Sequence, residues 1–115
     1  MNAEIQRGIG QRQLVFRAEN EHIYASADAL SMHGPIPFLC ECADPACTDI
    51  VRMSDIEYDT VSQYPCRFFN VSGHEASSVE AGAERVLLVI GEFTVVVKVG
   101  IAGDVASHAR DTVPD

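Results

Sequence analysis

Apolar residues in the first thirty positions follow a spacing that predicts one long helix. They recur every seven residues, at Ile9, Phe16, Ile23 and Leu30, with Leu14 and Ala18 nearby. This spacing forms a single apolar stripe along an α-helix, and we expect that stripe to face the core. Because Gly8 and Gly10 disfavour helical conformation, the ordered helix should begin near Gln11. The glycine and prolines within 31–37 end it.

A second helix is predicted by a capping box. The Ser54 hydroxyl can accept a hydrogen bond from the third helical amide, while the Glu57 carboxylate reaches back to the Ser54 amide. The pattern predicts a helix over 55–63, with Ile56 and Val61 facing inward.

Shorter apolar runs predict strands at 38–40, 50–53, 67–71, 85–90 and 93–99. The first two form a small hairpin with cysteines at its tip. The last two flank Gly91-Glu92, which suits a type II′ turn. The small, polar residues between the third and fourth runs predict a loop over 72–84.

Together these elements predict an α+β fold. The long N-terminal helix packs on one small, mostly antiparallel sheet that includes a zinc-knuckle-like hairpin. The 115 residues suffice for one domain, which we place at 11–100, with 1–10 and 101–115 as flexible termini. A domain of this size has a thin core, so a bound metal would matter to its stability.

The net charge of −9, with Lys98 the only lysine, excludes several classes of function. Nonspecific nucleic-acid binding requires a basic surface, and an anionic membrane would repel this chain. No apolar stretch approaches the roughly 20 residues that span a bilayer, and the first residues do not resemble a signal peptide. We therefore expect a cytoplasmic protein, in which cysteines serve as metal ligands or thiols and not as disulfides.

The sharpest chemical feature is the motif Cys40-x-Cys42-x4-Cys47. Residues two apart on a strand point to the same side, so Cys40 and Cys42 can converge. The Asp44-Pro45 pair favours a turn that brings Cys47 back towards them. Three thiolates of this kind suit zinc, and a structural zinc site takes four ligands.

The fourth ligand must come from elsewhere in the chain. His74 is favoured because it follows Gly73, in a loop that can present an imidazole next to the third strand. Cys66 would instead complete a four-cysteine site. The remaining alternatives are His33, His108 and water.

The metal could also be iron, since three cysteines and one histidine can hold an iron–sulfur cluster. A catalytic zinc needs an open coordination position and a nearby base, and the chain contains no HExxH or deaminase pattern. We therefore favour a structural zinc over a catalytic one.

Charged residues elsewhere have a simpler interpretation. Arg17 and Glu21 are four residues apart on the first helix, which predicts an ion pair on a solvated face. The alternative is that Asn20 or Glu21 faces the hairpin and supports a site. Six acidic residues lie between positions 41 and 59 and predict a negatively charged face, which includes Glu41, Asp44, Asp49, Asp55, Glu57 and Asp59.

These residues together resemble a family of small bacterial proteins of unknown function. The resemblance covers roughly 11–100 and rests on Phe16-Arg17-x-x-Asn20-Glu21-x-Ile23, Phe38-Leu39-Cys40-Glu41-Cys42-x4-Cys47, Glu57-Tyr58, Arg67-Phe68 and Gly73-His74-Glu75. Family members usually have Pro-Gly-His where this chain has Ser72-Gly73-His74. The resemblance implies a ligand set of Cys40, Cys42, Cys47 and His74. It leaves Cys66 outside the motif and implies no activity.

The resulting hypothesis is a zinc-binding structural or regulatory interaction module, whose acidic face or first helix meets a protein partner. The alternative is a thiol-based redox or metal-responsive protein, with an iron–sulfur cluster or labile zinc. A small metalloenzyme is a third class. No catalytic residue is assigned.

Overall fold

The N-terminal helix is longer than its sequence suggests. The computed structural model describes residues 3–100, in which α1 spans Ala3–Ala29. It begins upstream of the predicted Gln11 and runs through Gly8. A glycine destabilises a helix interior by about 1 kcal/mol, but extending a helix that has already formed is favourable enough to offset this. Residues 101–115 lie outside the described residues, so their flexibility stays a prediction.

The buried face of α1 is not the predicted apolar stripe. Phe16 and Ile23 are only half-buried, Leu30 and Ala18 are exposed, and the side chain of Ile9 lies outside the described part. Among the described side chains of α1, those of Gln13, Arg17, Asn20 and Ala27 are buried. The stripe prediction is right in part, since Ile23 packs against the core, but the most buried side of the helix is polar because it meets polar groups on the neighbouring segment, as described below.

The strands form two sheets where one was predicted. In the first, β1 (Ile36–Leu39) pairs antiparallel with β2 (Ile50–Met53). In the second, β5 (Phe93–Lys98) lies between β3 (Arg67–Val71) and β4 (Glu84–Ile90), and both pairings are antiparallel. The predicted α+β class, with a long N-terminal helix and small antiparallel sheets, is confirmed.

A backbone hydrogen bond links the two sheets just after β1. The Glu41 amide donates to the Phe69 carbonyl of β3 at 2.9 Å, while the Cys40 amide donates to the Asp49 carbonyl at 3.0 Å. The chain thus leaves its β2 partner at Cys40 and turns towards β3 one residue later. This change of partner divides the sheet and places the cysteine segment between its two parts.

The capping box is confirmed at the start of α2 (Asp55–Ser62). The Glu57 amide donates to the Ser54 hydroxyl at 3.1 Å, and the Ser54 amide donates to the Glu57 carboxylate at 2.8 Å. Val61 is buried as predicted, but Ile56 is exposed and Tyr58 takes the core position. The predicted 72–84 loop contains a short helix, α3 (Ala76–Glu80).

The principal core lies between α1, α2 and the two sheets. The Tyr58 ring stacks on Phe38 with centroids 4.3 Å apart, and the Phe69 ring meets both edge-on.

The two-residue turn between β4 and β5 has Gly91 at φ 57°, as the predicted type II′ turn requires. Among residues 3–100, no helix combines the length and apolar character that crossing a lipid bilayer requires.

Candidate metal centre

The segment after β1 folds back on itself and returns Cys47 to the other cysteines. The Asp44 carboxylate accepts from the Ala46 amide at 2.9 Å, and the Asp44 carbonyl accepts from the Cys47 amide at 3.0 Å. An aspartate that bonds the backbone two residues ahead is typical of a tight turn, and Pro45 favours it. The turn predicted from Asp44-Pro45 is therefore present.

The structure brings four side chains of the predicted ligand set together. The Sγ atoms of Cys40, Cys42 and Cys47 and a ring nitrogen of His74 all lie within 4.8 Å of one another. The His74 Nδ1 atom is 3.5 Å from Cys40 Sγ and 3.7 Å from Cys47 Sγ. A tetrahedron with zinc bond lengths has edges of about 3.5–3.8 Å, so the two distances from His74 suit an ion shared with Cys40 and Cys47.

The end of β3 positions both His74 and one cysteine. Gly73, at φ 100°, lets the chain turn sharply, and the His74 amide then donates to the Val71 carbonyl at 3.0 Å. The Val71 amide donates to Cys40 Sγ at 3.2 Å. One short turn thus carries the imidazole to the cysteines and orients a thiol.

The four groups differ in burial. Cys40 and Cys42 are buried, whereas Cys47 and His74 are half-buried. Burial raises the pKa of the Cys40 thiol well above its ordinary value, despite the hydrogen bond from Val71, and burial also raises the pKa of Cys42. Because a metal binds the thiolate form, metal binding here is coupled to release of protons.

The side chain between the two buried cysteines points the other way, into α1. The Glu41 carboxylate accepts two hydrogen bonds of 2.7 Å from the Arg17 guanidinium, and it is fully buried. It also accepts from Asn20 Nδ2 at 3.0 Å and from the Phe69 amide at 3.3 Å. The predicted surface pair between Arg17 and Glu21 was therefore wrong. Arg17 instead forms a bidentate pair with the Glu41 carboxylate, which is buried away from water.

Further polar side chains of α1 hold the same segment. The Asn20 side chain makes two hydrogen bonds to the Leu39 backbone. Its Oδ1 accepts from the Leu39 amide at 2.7 Å, and its Nδ2 donates to the Leu39 carbonyl at 2.9 Å. Gln13 donates to the Glu41 carbonyl at 3.0 Å and to the buried Glu84 carboxylate, which also contacts Lys98. Of the alternative that Asn20 or Glu21 faces the hairpin, the part that concerns Asn20 is confirmed by its bonds to Leu39 of β1.

Sequence reasoning missed the role of Glu41, although a signal was available. If Cys40 and Cys42 share one side of an extended segment, the residue between them must face the opposite side. The helical spacing of Gln13, Arg17 and Asn20 then indicates a polar face that can receive it. Glu41 therefore does not belong to the predicted acidic face; of the other five residues assigned to that face, four are exposed and one, Asp55, is half-buried.

The other candidate fourth ligands lie elsewhere. Cys66 packs beside the buried Phe68 and Val96 and is not part of the four-residue group. The His33 ring pairs with the Asp55 carboxylate at 3.0 Å. His108 lies outside the described residues.

A carboxylate lies behind the imidazole. Asp49 Oδ2 is 3.4 Å from His74 Nε2, on the opposite side of the ring from the cysteines. A carboxylate in this position fixes the orientation and tautomer of a ligating histidine. Asp49 is therefore assigned a positioning contact with His74.

Replacing Asp49 with alanine is expected to weaken zinc binding about ten-fold, because His74 loses the group that orients its ring. Competition with a chromophoric chelator measures the affinity. Asp59→Ala removes an exposed acid of α2 and serves as the control for net charge. Equal affinities for the two variants would remove Asp49 from the site.

Comparison with known proteins adds no relative. The chain matches no known protein family, no curated protein and no solved structure. Support for a function therefore comes from the geometry of the four side chains Cys40, Cys42, Cys47 and His74.

Proposed function

We propose that the protein is a small zinc-binding module in which the metal has a structural role. The observation that carries the proposal is the convergence of Cys40, Cys42, Cys47 and His74, from two separate chain segments, within 4.8 Å. Segments more than twenty residues apart rarely bring together this donor set for packing alone, because buried thiols pack equally well singly. The ligand set implied by the family resemblance is the same four residues, which supports the proposed membership of that family.

The donor set favours zinc in a closed site. Three thiolates and one imidazole fill a tetrahedral zinc and leave no position for a substrate. The mutual distances suit one ion, whereas an iron–sulfur cluster distributes its ligands over two or more irons. The buried pair, Cys40 and Cys42, further limits access of solvent to a bound ion.

The wider proposal concerns a partner and a compartment. Asp44 and Asp49 are exposed beside the four ligands, and Glu57 and Asp59 are exposed on α2. We propose that this acidic face meets a basic protein surface and that the zinc maintains the loop carrying part of it. The cytoplasm suits such a site because its reducing conditions keep thiols available to metal, and none of the four cysteines forms a disulfide.

Elemental analysis and an absorption spectrum of the purified chain test the proposal. We expect a single zinc per chain and no visible absorption. Cys47→Ala and His74→Ala should each reduce the zinc retained after dialysis, while Cys66→Ala, the matched control, should retain it. A protein partner captured through the acidic face should dissociate as salt concentration rises.

Other results would contradict the proposal. Iron with visible absorption would establish the cluster alternative, and release of zinc by mild oxidant in the intact chain would favour the redox alternative. Zinc lost from Cys66→Ala but retained by His74→Ala would contradict the ligand assignment.

A further inference from the structure

Strand β4 presents an unusual run of exposed apolar residues. Between 40% and 62% of each side chain's surface is accessible in five consecutive residues, which are Val86, Leu87, Leu88, Val89 and Ile90. Consecutive residues of a regular strand face opposite sides of the sheet, so Leu88, Val89 and Ile90, which follow a bulge, expose apolar groups on both faces. A run of this kind is typical of an interaction surface.

The same strand forms an edge of its sheet. Within residues 3–100, β4 pairs with β5 on one side and with no strand on the other. Edge strands are usually protected by charged residues, proline or β-bulges. From Val86 to Ile90 there is no charge or proline, and a bulge between Val86 and Leu88 is followed by a regular stretch from Leu88 to Ile90. The exposed Ile56 of α2 lies beside this edge and lines a groove with Leu87, Leu88 and Ile90.

The charges at the two ends of the strand have opposite signs. Arg85 lies at its beginning and Glu92 in the turn after its end, and both are exposed. Antiparallel pairing of two copies, centred between Leu88 and Val89, puts Arg85 of each copy opposite Glu92 of the other. Parallel pairing would instead oppose like charges. The uncharged stretch between the ends lets two acidic chains approach without local repulsion.

We propose that two copies of this chain associate through β4, antiparallel about a two-fold axis. The paired edges satisfy each other's backbone groups and join two three-stranded sheets into one. The side chains from Leu88 to Ile90 then lie beside side chains of the other copy on each face of the joined sheet, which covers part of their apolar surface. Strand β3, which leads to His74, lies at the opposite edge of the sheet, so pairing leaves the candidate metal centre uncovered.

Sedimentation equilibrium of the full chain tests the proposal. We expect a species of twice 12.5 kDa at micromolar concentration. Leu88→Lys introduces a charge into the centre of the paired edge and should give a monomer. Val15→Lys, at an exposed apolar position of α1, is the matched control and should remain a dimer. Circular dichroism of each variant reports whether the fold is retained.

A charge exchange tests the orientation even if Leu88→Lys fails to fold. Arg85→Glu alone and Glu92→Arg alone should each weaken association about ten-fold, because both ends become repulsive. An equimolar mixture of these two variants should form a heterodimer that regains most of the affinity.

Three results would overturn the proposal. The first is a monomeric wild-type chain at 100 µM or so. The second is a dimer insensitive to Leu88→Lys and to both charge reversals. The third is a different protein bound at β4 in place of the second copy. None of these measurements depends on zinc. A negative result would therefore contradict the dimer and leave the proposed metal site unaffected.

Discussion

Removal of zinc by a chelator is expected to lower the melting temperature by about 10–20 °C. A ligand that binds only the folded state stabilises it by about 2.7 kcal/mol at a hundred times its dissociation constant. For a domain near this size, each kcal/mol corresponds to about 4–8 °C. Differential scanning calorimetry at fixed excess zinc, with and without chelator, measures the difference.

The loss of order should be local. The Cys40 and Cys42 backbone stays attached to α1 and β3 through Glu41, whereas Cys47 and His74 lie on turns with less support. Hydrogen exchange should therefore accelerate in 43–49 and 72–75 on chelation while β3 and β5 keep their protection. Cys66→Ala should respond to chelator as the wild type does. A melting temperature unmoved by chelator, in a chain shown to contain zinc, would contradict a structural role.

Replacing Arg17 with methionine is expected to cost about 3–5 kcal/mol in the free energy of unfolding. The change leaves the Glu41 carboxylate fully buried without its cation, and an uncompensated buried charge is the costly outcome of breaking such a pair. It also removes the stacking of the guanidinium over the Phe68 ring, 4.3 Å from its centroid. Urea denaturation of the zinc-loaded chain measures the loss.

Two further variants isolate the charge. Arg52→Met removes an exposed arginine of β2 and should change stability by less than about 0.5 kcal/mol. Adding Glu41→Gln to Arg17→Met should recover part of the loss, because position 41 then carries no unpaired charge and its amide oxygen still accepts from Asn20 or Phe69. Strictly additive losses in the double variant would show that the ion pair is not the cause.

Features of the fold that depend only on neighbouring residues were predicted from local sequence patterns. The Ser54–Glu57 capping box, the Gly91 turn and the convergence of three cysteines around Asp44-Pro45 each require a few adjacent residues, and each is present. The strand positions followed from apolar runs for the same reason. The α+β class followed from the order of these elements.

Features set by distant partners were not predicted. The buried face of α1 depends on Glu41, which is twenty-four residues from Arg17 in the sequence. The division into two sheets depends on where the chain after β1 changes its partner from β2 to β3. Ile56 faces solvent, not the core, because Tyr58 fills the space beside Phe38 and Phe69. In each case a tertiary contact outweighs a local periodicity.

The unequal burial of the four ligands sets a direction for metal exchange. The cleft beside Asp44 and Asp49 is lined by three of the ligands, Cys42, Cys47 and His74, whereas Cys40 does not line it. A metal ion held by the four residues would therefore be most open at Cys47 and His74, which are half-buried, and least open at Cys40. A chelator or an acceptor of the metal would have to approach from the side on which Asp44 and Asp49 are exposed.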